Sequence, residues 1–292
     1  MIHLQNLQVR REQRLLLDIE RLQIAPGESV AIIGPNGAGK STLFKVLTGF
    51  MPVTSGRVSV LGYEWGSTRD LSISARQVRE LRAQVGQVWQ SLPLVNRLTV
   101  LENVMLGALA RPGLLPKWRS YLRWYPEALK VMAEQALEAI GLQARALQRA
   151  DRLSGGERQK VAVARVRLQA PRLILADEPT AALDPQATLA MCEMLKALAQ
   201  TSSVGLSAQI TVPTTLITVV HNPALLPLLS ARVIALVNGR IVADQLTEAV
   251  SPALLASIYE SSEGAQVLSE GKLFEVPNAL ISDSGFCRNT SA

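Results

Sequence analysis

Cysteine is nearly absent: the 292 residues hold two, Cys192 and Cys287, far apart and at no metal or redox spacing. They read as free thiols of a reducing compartment, which excludes a disulfide scaffold. No stretch of about eighteen uncharged apolar residues occurs. The richest segment, residues 216–237, is broken by His221, Asn222, Pro223, Pro227 and Arg232, so no membrane-crossing helix is expected. Residues 1–14 are polar and strand-like, unlike the apolar centre of a signal peptide. There is no internal repeat. The net charge is +6, carried mostly by arginine. No basic run interleaved with aromatics and no nucleic-acid motif accompanies it, so nucleic acid is not expected as a partner. An anionic membrane surface and phosphate ligands remain.

What is present is a globular composition, 48% hydrophobic and 18% charged, long enough for one large domain with a subdomain. Its most informative stretch is Gly34-Pro35-Asn36-Gly37-Ala38-Gly39-Lys40-Ser41, followed by Thr42. This is the G-x-x-x-x-G-K-S pattern of a phosphate-binding loop. Glycines let successive backbone N–H groups converge on phosphate oxygens. Lys40 supplies a mobile positive charge, and the Ser41 hydroxyl is a small hard ligand suited to Mg²⁺. Val30 to Ile33 reads as a buried strand and Lys40 to Leu47 as a helix, so the loop has the strand–loop–helix setting the motif requires.

Two further motifs narrow the class. In Leu173-Ile174-Leu175-Ala176-Asp177-Glu178-Pro179-Thr180, an apolar strand ends in adjacent carboxylates. Asp177 sits where a parallel strand opens into a crevice and suits Mg²⁺; Glu178 is free to polarise a water. Standing alone the pair would equally suit a solvated acidic turn. Leu153-Ser154-Gly155-Gly156-Glu157 places Ser154 as an N-cap, with two glycines leaving backbone N–H groups open at a helix start. A phosphate loop, then Leu-Ser-Gly-Gly, then paired carboxylates is the order of the ATP-binding cassette proteins, and the chain resembles an ABC-transporter ATPase.

The resemblance extends to single residues. Gln90 matches the glutamine that in this family touches Mg²⁺ and the attacking water and senses the membrane partner. His221 matches the histidine facing the γ-phosphate. Asp184, in Ala181-Ala182-Leu183-Asp184, matches the segment crossing the dimer interface. A lone His or Gln at a strand end is more often structural, and His3 reads as a surface histidine. The resemblance covers roughly residues 2–260. Residues 94–107, the insert with Trp118-Arg119 and Trp124, and the Ile-Tyr pair at 258–259 look like the phosphonate-importer ATPase subfamily.

The resemblance implies an α/β P-loop NTPase cassette over residues 1–260. Its core is a RecA-like mixed, mainly parallel sheet, with an antiparallel β region and a helical subdomain inserted at about 91–153. Residues 261–292, polar and without sustained periodicity, read as a flexible tail, and the Ser/Thr-rich residues 201–212 as a surface loop. ATP and Mg²⁺ are the implied cofactors. The nucleotide is held by Gly34, Pro35, Asn36, Gly37, Ala38, Gly39, Lys40, Ser41 and Thr42. Ser154, Gly155, Gly156 and Asp184 of a second cassette complete the site head to tail. Ser41, Gln90 and Asp177 hold the metal, and Glu178, His221, Lys40 and Gln90 carry catalysis. Membrane permease subunits, a solute-binding protein and the cytoplasmic face of the inner membrane complete the expectation.

Two departures qualify it. Glu157 stands where many members carry Gln, and the adenine-stacking region reads Val9-Arg10-Arg11, with no aromatic ring. An arginine guanidinium can take the base face instead. Residues 111–125 concentrate basic and aromatic side chains, which suits either packing within the helical subdomain or a permease-facing surface. Import of another small anion or of polar amino acids is the alternative within transport. A soluble ABC ATPase acting on DNA or the ribosome usually carries a coiled-coil insertion or two cassettes in one chain, and this sequence has neither.

Overall fold

A computed structural model of the chain describes residues 1–67, 72–89, 94–111, 122, 124–181, 183–200 and 214–260. Two sheets carry the architecture. The first is antiparallel, in the order β2-β1-β4-β5, from β1 (Ile2–Arg11), β2 (Arg14–Ile24), β4 (Ser55–Val60) and β5 (Tyr63–Gly66). The second, in the order β10-β9-β3-β8-β7-β6, takes β3 (Ser29–Ile33), β6 (Val85–Trp89), β7 (Leu173–Asp177), β8 (Thr215–Val219), β9 (Arg232–Val237) and β10 (Arg240–Leu246). Its strands run parallel except β10, which returns antiparallel along β9 at the edge. The α/β class and the mixed, mainly parallel sheet are thus as the motifs implied.

Side-chain parity explains how one short apolar strand serves two cores. In β3, Val30 and Ile32 face the antiparallel sheet and helix α1 (Lys40–Leu47), while Ala31 and Ile33 face the opposite side. In β7, Leu173 and Leu175 go to the first side and Ile174 and Ala176 to the second. Strands covered on both faces have no need of polar residues, hence the continuous apolar runs. The same parity sends Asp177 to the α1 side of the sheet. Edge strand β10 instead alternates exposed and half-buried positions along Arg240–Leu246.

The second face is covered by α6 (Pro185–Gln200), through Met191, Cys192 and Leu195, by the short helix α7 (Leu226–Leu229) and by α8 (Pro252–Glu260), through Ile258. A third cluster is helical. It joins α3 (Val100–Met105), α4 (Glu127–Glu138) and one stripe of α5 (Gly155–Gln169), namely Val161, Ala162, Ala164 and Leu168. Val163 and Val166 of α5 belong to the sheet side. The helix that begins at the Leu-Ser-Gly-Gly turn is therefore shared by two cores. Helix α2 (Ala75–Ala83) opens on a capping box between Ser74 and Gln77.

Within the helical subdomain, residues 100–110 are α-helical only to Met105 and continue as a 3₁₀ segment, Leu106–Ala110. Gly107 lies there so close to α5 that a Cβ would stand 2.3 Å from the Arg165 carbonyl oxygen. Within residues 111–125, Tyr125 is buried in the helical cluster, as the packing reading required, whereas Leu122 and Trp124 are exposed. The remainder of that insert, Gln90, the 201–212 loop and the 261–292 tail lie outside the described residues.

Candidate functional site

The C-terminal ends of the parallel strands deliver the site. β3 runs into the phosphate loop, β7 ends at Asp177, β8 leads to His221, and β6 ends at Trp89 in register with Asp177. Crevices at the carboxyl ends of parallel strands are where such sheets bind ligands.

The loop turns on Gly34, whose φ is +142° and whose Cβ, if present, would lie 1.9 Å from the Leu236 carbonyl oxygen. Only glycine fits there. The loop is clamped on its far side too. The β9–β10 turn, Asn238-Gly239, has positive φ at both residues, and Gly239 N–H donates to the Ala38 carbonyl at 2.9 Å. Leu16 and Leu17 of β2 close over Gly39. Lys40 is buried, and its Nζ donates to the carbonyls of Gly34 at 2.7 Å and Pro35 at 2.9 Å. Burial pulls its pKa down, against the attraction of Glu178 and Asp177. Helix α1 carries no acidic residue of its own in its first turn, which leaves the positive end of its dipole to groups brought from elsewhere in the fold. Asn36, Gly37 and Ser41 are exposed and Thr42 is half-buried.

Facing the loop, Ser41 Oγ donates to Asp177 Oδ2 at 3.4 Å. Burial raises the Asp177 pKa, and the neighbouring Glu178 raises it further. A half-buried carboxylate held in this way gains from a divalent cation, and a hydroxyl–carboxylate pair suits Mg²⁺, which keeps several waters and takes substrate oxygens. The residues fit the ion: Ser41 and Asp177 would hold it.

Glu178 breaks the parity of β7. Its φ is +50°, and the turn that follows is tied by Ala181 N–H to the Glu178 carbonyl at 3.1 Å. The carboxylate is thereby swung off the strand toward β8, where Glu178 Oε1 meets His221 Nε2 at 2.5 Å. A non-glycine residue held at positive φ is characteristic of strained functional sites.

Ser154 caps α5 as expected. Glu157 N–H donates to Ser154 Oγ at 3.3 Å, and Ser154 N–H donates back to Glu157 Oε2 at 2.9 Å. Glu157 also pairs with Arg145 at 3.1 Å. The Ser154 backbone bond holds the Glu157 pKa down. The carboxylate at this position therefore preserves the turn: it closes a capping box and sits at the positive end of the helix. Gly155 is exposed, and Gly156 faces Leu183. Among the described residues, no hydrogen bond joins this turn to the phosphate loop of the same chain. Asp184 caps its own helix, accepting from Ala187 N–H at 2.9 Å. Arg10 and Arg11 lie at the exposed tip of the β1–β2 hairpin.

Sequence reasoning missed the Asn238-Gly239 turn, although Asn-Gly between apolar runs is the strongest short hairpin signal. It also missed a groove lined by Phe50, Arg79, Arg82, Trp89, Leu109 and Arg165. Arg82 there donates to the carbonyls of Thr48 at 3.0 Å and Gly49 at 3.1 Å, at the end of α1. Its guanidinium also lies over the Phe50 ring, 3.4 Å from the centroid.

The sequence model of the ABC transporter family matches residues 17–181, more than half of the chain. The chain is 39% identical over 270 residues to the phosphonates import ATP-binding protein PhnC 2 of Pseudomonas savastanoi pv. phaseolicola, covering 91% of this chain and 92% of that protein. It is 39% identical over 250 residues to the phosphonates import ATP-binding protein PhnC of Stutzerimonas stutzeri, covering 85% of each. In three dimensions it is similar to the dimeric ATP-binding cassette MJ0796 in a post-hydrolysis state bound to ADP and Pi. The TM-score is 0.69 at 26% identity, over 85% of this chain and 99% of that one. The chain belongs to the ABC transporter family, as one of its ATP-binding cassettes.

Proposed function

We propose that this chain is the ATP-hydrolysing subunit of a membrane importer for phosphonate or a related phosphorus oxyanion, working as a head-to-tail dimer of cassettes. The Glu178–His221 pair beside the phosphate loop carries the reading. A module that only bound nucleotide would have no use for a carboxylate bent off its strand onto a histidine. Relatives with the phosphonate-import name match along most of the chain.

The chain's residues divide the work as their positions allow. Backbone N–H groups of the loop and the N-terminus of α1 receive the phosphates. Lys40 exchanges its loop carbonyls for phosphate oxygens. Glu178 takes the proton of, or orients, the attacking water, and His221 fixes that carboxylate and faces the γ-phosphate. Mg²⁺, held by Ser41 and Asp177 with Gln90, supplies charge neutralisation on the phosphates when bound. Ser154, Gly155 and Gly156 serve the nucleotide of a partner cassette. Arg10 and Arg11 are the candidates for the adenine face.

Among the described residues no helix is long and apolar enough to cross a membrane. In the proposed scheme permease subunits form the path, a solute-binding protein delivers the ligand, and the cassette sits peripherally on the cytoplasmic face. The groove at Phe50, Arg82 and Trp89 is the seat proposed for a cytoplasmic helix of the permease: its apolar floor and three arginines suit an amphipathic helix with an acidic residue. Residues 1–260 form the cassette. Glu178→Gln tests the core of the proposal. MgATP binding should persist while steady-state hydrolysis falls by about 100-fold or more, the scale of losing a general base. Hydrolysis at the wild-type rate would remove Glu178 from the role.

A further inference from the structure

Arg158 and Asn96 have no part in the scheme above, yet they frame the Ser154-Gly155-Gly156 turn. That turn has little to lean on. Ser154 and Gly155 are exposed, and a Cβ on Gly155 would meet nothing within 4 Å. Its orientation is therefore set by the residues on either side. Leu153, before it, is buried in the helical cluster. After it, Arg158 N–H donates to the Ser154 carbonyl at 2.9 Å and closes the first turn of α5. The Arg158 side chain then reaches out of the helix. Its Nη1 donates to the Ala150 carbonyl and its Nη2 to Asn96 Oδ1, both at 3.0 Å.

The two acceptors belong to segments fastened to one another. Ala150 N–H donates to the Leu98 carbonyl at 3.0 Å, and Val100 N–H to the Gln148 carbonyl at 2.8 Å. The segment that carries Asn96 is shaped from inside by Asn103, a fully buried side chain of α3. Its Oδ1 accepts from Val95 N–H at 2.8 Å, and its Nδ2 donates to the carbonyls of Val95 at 3.1 Å and Thr99 at 3.0 Å. A buried amide with its donors and acceptor all in use rigidifies the backbone around it. Asn96 is thus presented from a fixed backbone, although its own side chain is exposed. A guanidinium can span both acceptors because it is a planar fork of donors, whereas a lysine ammonium is a point charge.

We infer that Arg158 is a positioning residue for the ATP-bound dimer: forked between Ala150 and Asn96, its guanidinium holds the Ser154-Gly155-Gly156 turn in the orientation that meets the partner cassette's nucleotide. This rests on the head-to-tail reading and adds to it the device that aims the turn. Glu157, paired with Arg145, steadies the same turn from the neighbouring position. Arg158 acts through the segment that leads into α3. A second consequence is that movement of residues 95–99 would be passed to the turn through this bond.

The test uses the full chain carrying Glu178→Gln, whose ATP-bound dimer should persist. The probes are MgATP, which drives dimerisation, and MgADP, which lacks the γ-phosphate that the partner's turn meets. Dimer dissociation constants in MgATP come from analytical ultracentrifugation, MgADP affinity from equilibrium dialysis, and folding from thermal melting without nucleotide. Arg158→Ala should weaken the dimer about 10- to 100-fold, the scale of one hydrogen bond at each of two symmetric turns. Arg158→Lys and Asn96→Ala should each weaken it by about threefold or more. Arg158→Ala combined with Asn96→Ala should be no weaker than Arg158→Ala alone, because the bond is already gone. MgADP affinity and melting temperature should stay at the parent's values in Arg158→Lys and Asn96→Ala. A dimer as tight in Arg158→Lys as in the parent would show that charge and not the fork matters, and would overturn the inference. Losses at residues 96 and 158 that simply multiply would overturn it too, since the two would then act apart. If Arg158→Lys and Asn96→Ala weaken the dimer only together with a large drop in melting temperature, the bridge is structural and the inference is equally wrong. A parent chain that binds MgADP yet stays monomeric in MgATP would refute the head-to-tail reading itself, a separate outcome.

Discussion

Replacing Gly239 with alanine should damage the nucleotide site from a position that touches no phosphate. Gly239 has φ +79°, and an added Cβ would stand 2.6 Å from the Leu16 carbonyl oxygen and 3.0 Å from Leu17 Cα. Gly62 has a similar φ, +89°, with nothing within 4 Å of the corresponding Cβ. The pair separates two effects. Gly62→Ala carries only the left-handed backbone penalty, about 1–2 kcal/mol. Gly239→Ala carries that penalty plus the forced retreat of β2. Ordinary contact begins near 3.4 Å, so Leu16 must give by about 0.8 Å, the difference from 2.6 Å. It cannot retreat freely. β2 is paired along β1, and Asp18 N–H donates to the Gly239 carbonyl at 2.8 Å. Overpacking of this kind costs about 1–3 kcal/mol more, for a total of roughly 2–5 kcal/mol. The assay is guanidinium unfolding of both variants, comparing the midpoint of the first transition at unchanged slope, with MgATP affinity measured alongside. Gly239→Ala should unfold at clearly lower denaturant and bind MgATP more weakly, because Gly239 N–H also holds Ala38. Gly62→Ala should lose a little stability and no affinity. Equal losses in the two variants, or unchanged affinity in Gly239→Ala, would refute the claim that this turn is wedged between β2 and the loop.

Two further outcomes follow from the site. Mixing Lys40→Ala chains with Gly156→Asp chains should restore up to about a quarter of wild-type hydrolysis, if the chains pair at random and each intact site works alone; this is checked by phosphate release, and no recovery at all, with heterodimers confirmed by crosslinking, would count against the head-to-tail assignment. Asp177 has a folded pKa raised above 3.8, so between its unfolded and folded pKa values the native chain binds more protons than the unfolded one, and the group's destabilising effect grows with pH across that window and is complete above it. Asp177→Asn should therefore melt at a higher temperature than wild type at pH 7 without nucleotide, yet lose Mg²⁺-dependent hydrolysis; a lower melting temperature would contradict the sign of the shift.

The phosphate loop, its strand and the span of α1 were legible because the chemistry fixes residue types at fixed spacing. Ser154 was legible as an N-cap for the same reason, whereas the reciprocal bond from Glu157 that completes its capping box came only with the structure. What the sequence did not reveal depends on pairs far apart in the chain. No local pattern places Leu236 against Gly34, or Gly239 against Leu16. The bend at Glu178 was hidden too, since a glutamate at positive φ violates local preference and is imposed by the fold. Its proximity to His221 could be expected only from the family. The Arg10-Arg11 pair could be named as the site of a missing aromatic, but the hairpin tip that carries it is set by the pairing of β1 with β2.

The most direct test of the account is uptake of a radiolabelled alkylphosphonate by cells lacking the native copy of this chain. Cells are resupplied with wild type or with Glu178→Gln, and uptake of labelled phosphate and of a polar amino acid is followed in parallel. The account predicts that phosphonate uptake disappears on deletion, returns with wild type, and stays absent with Glu178→Gln although the variant still binds MgATP, while amino-acid uptake is unaffected throughout. Phosphonate uptake undiminished by deletion, or restored in full by Glu178→Gln, would contradict it.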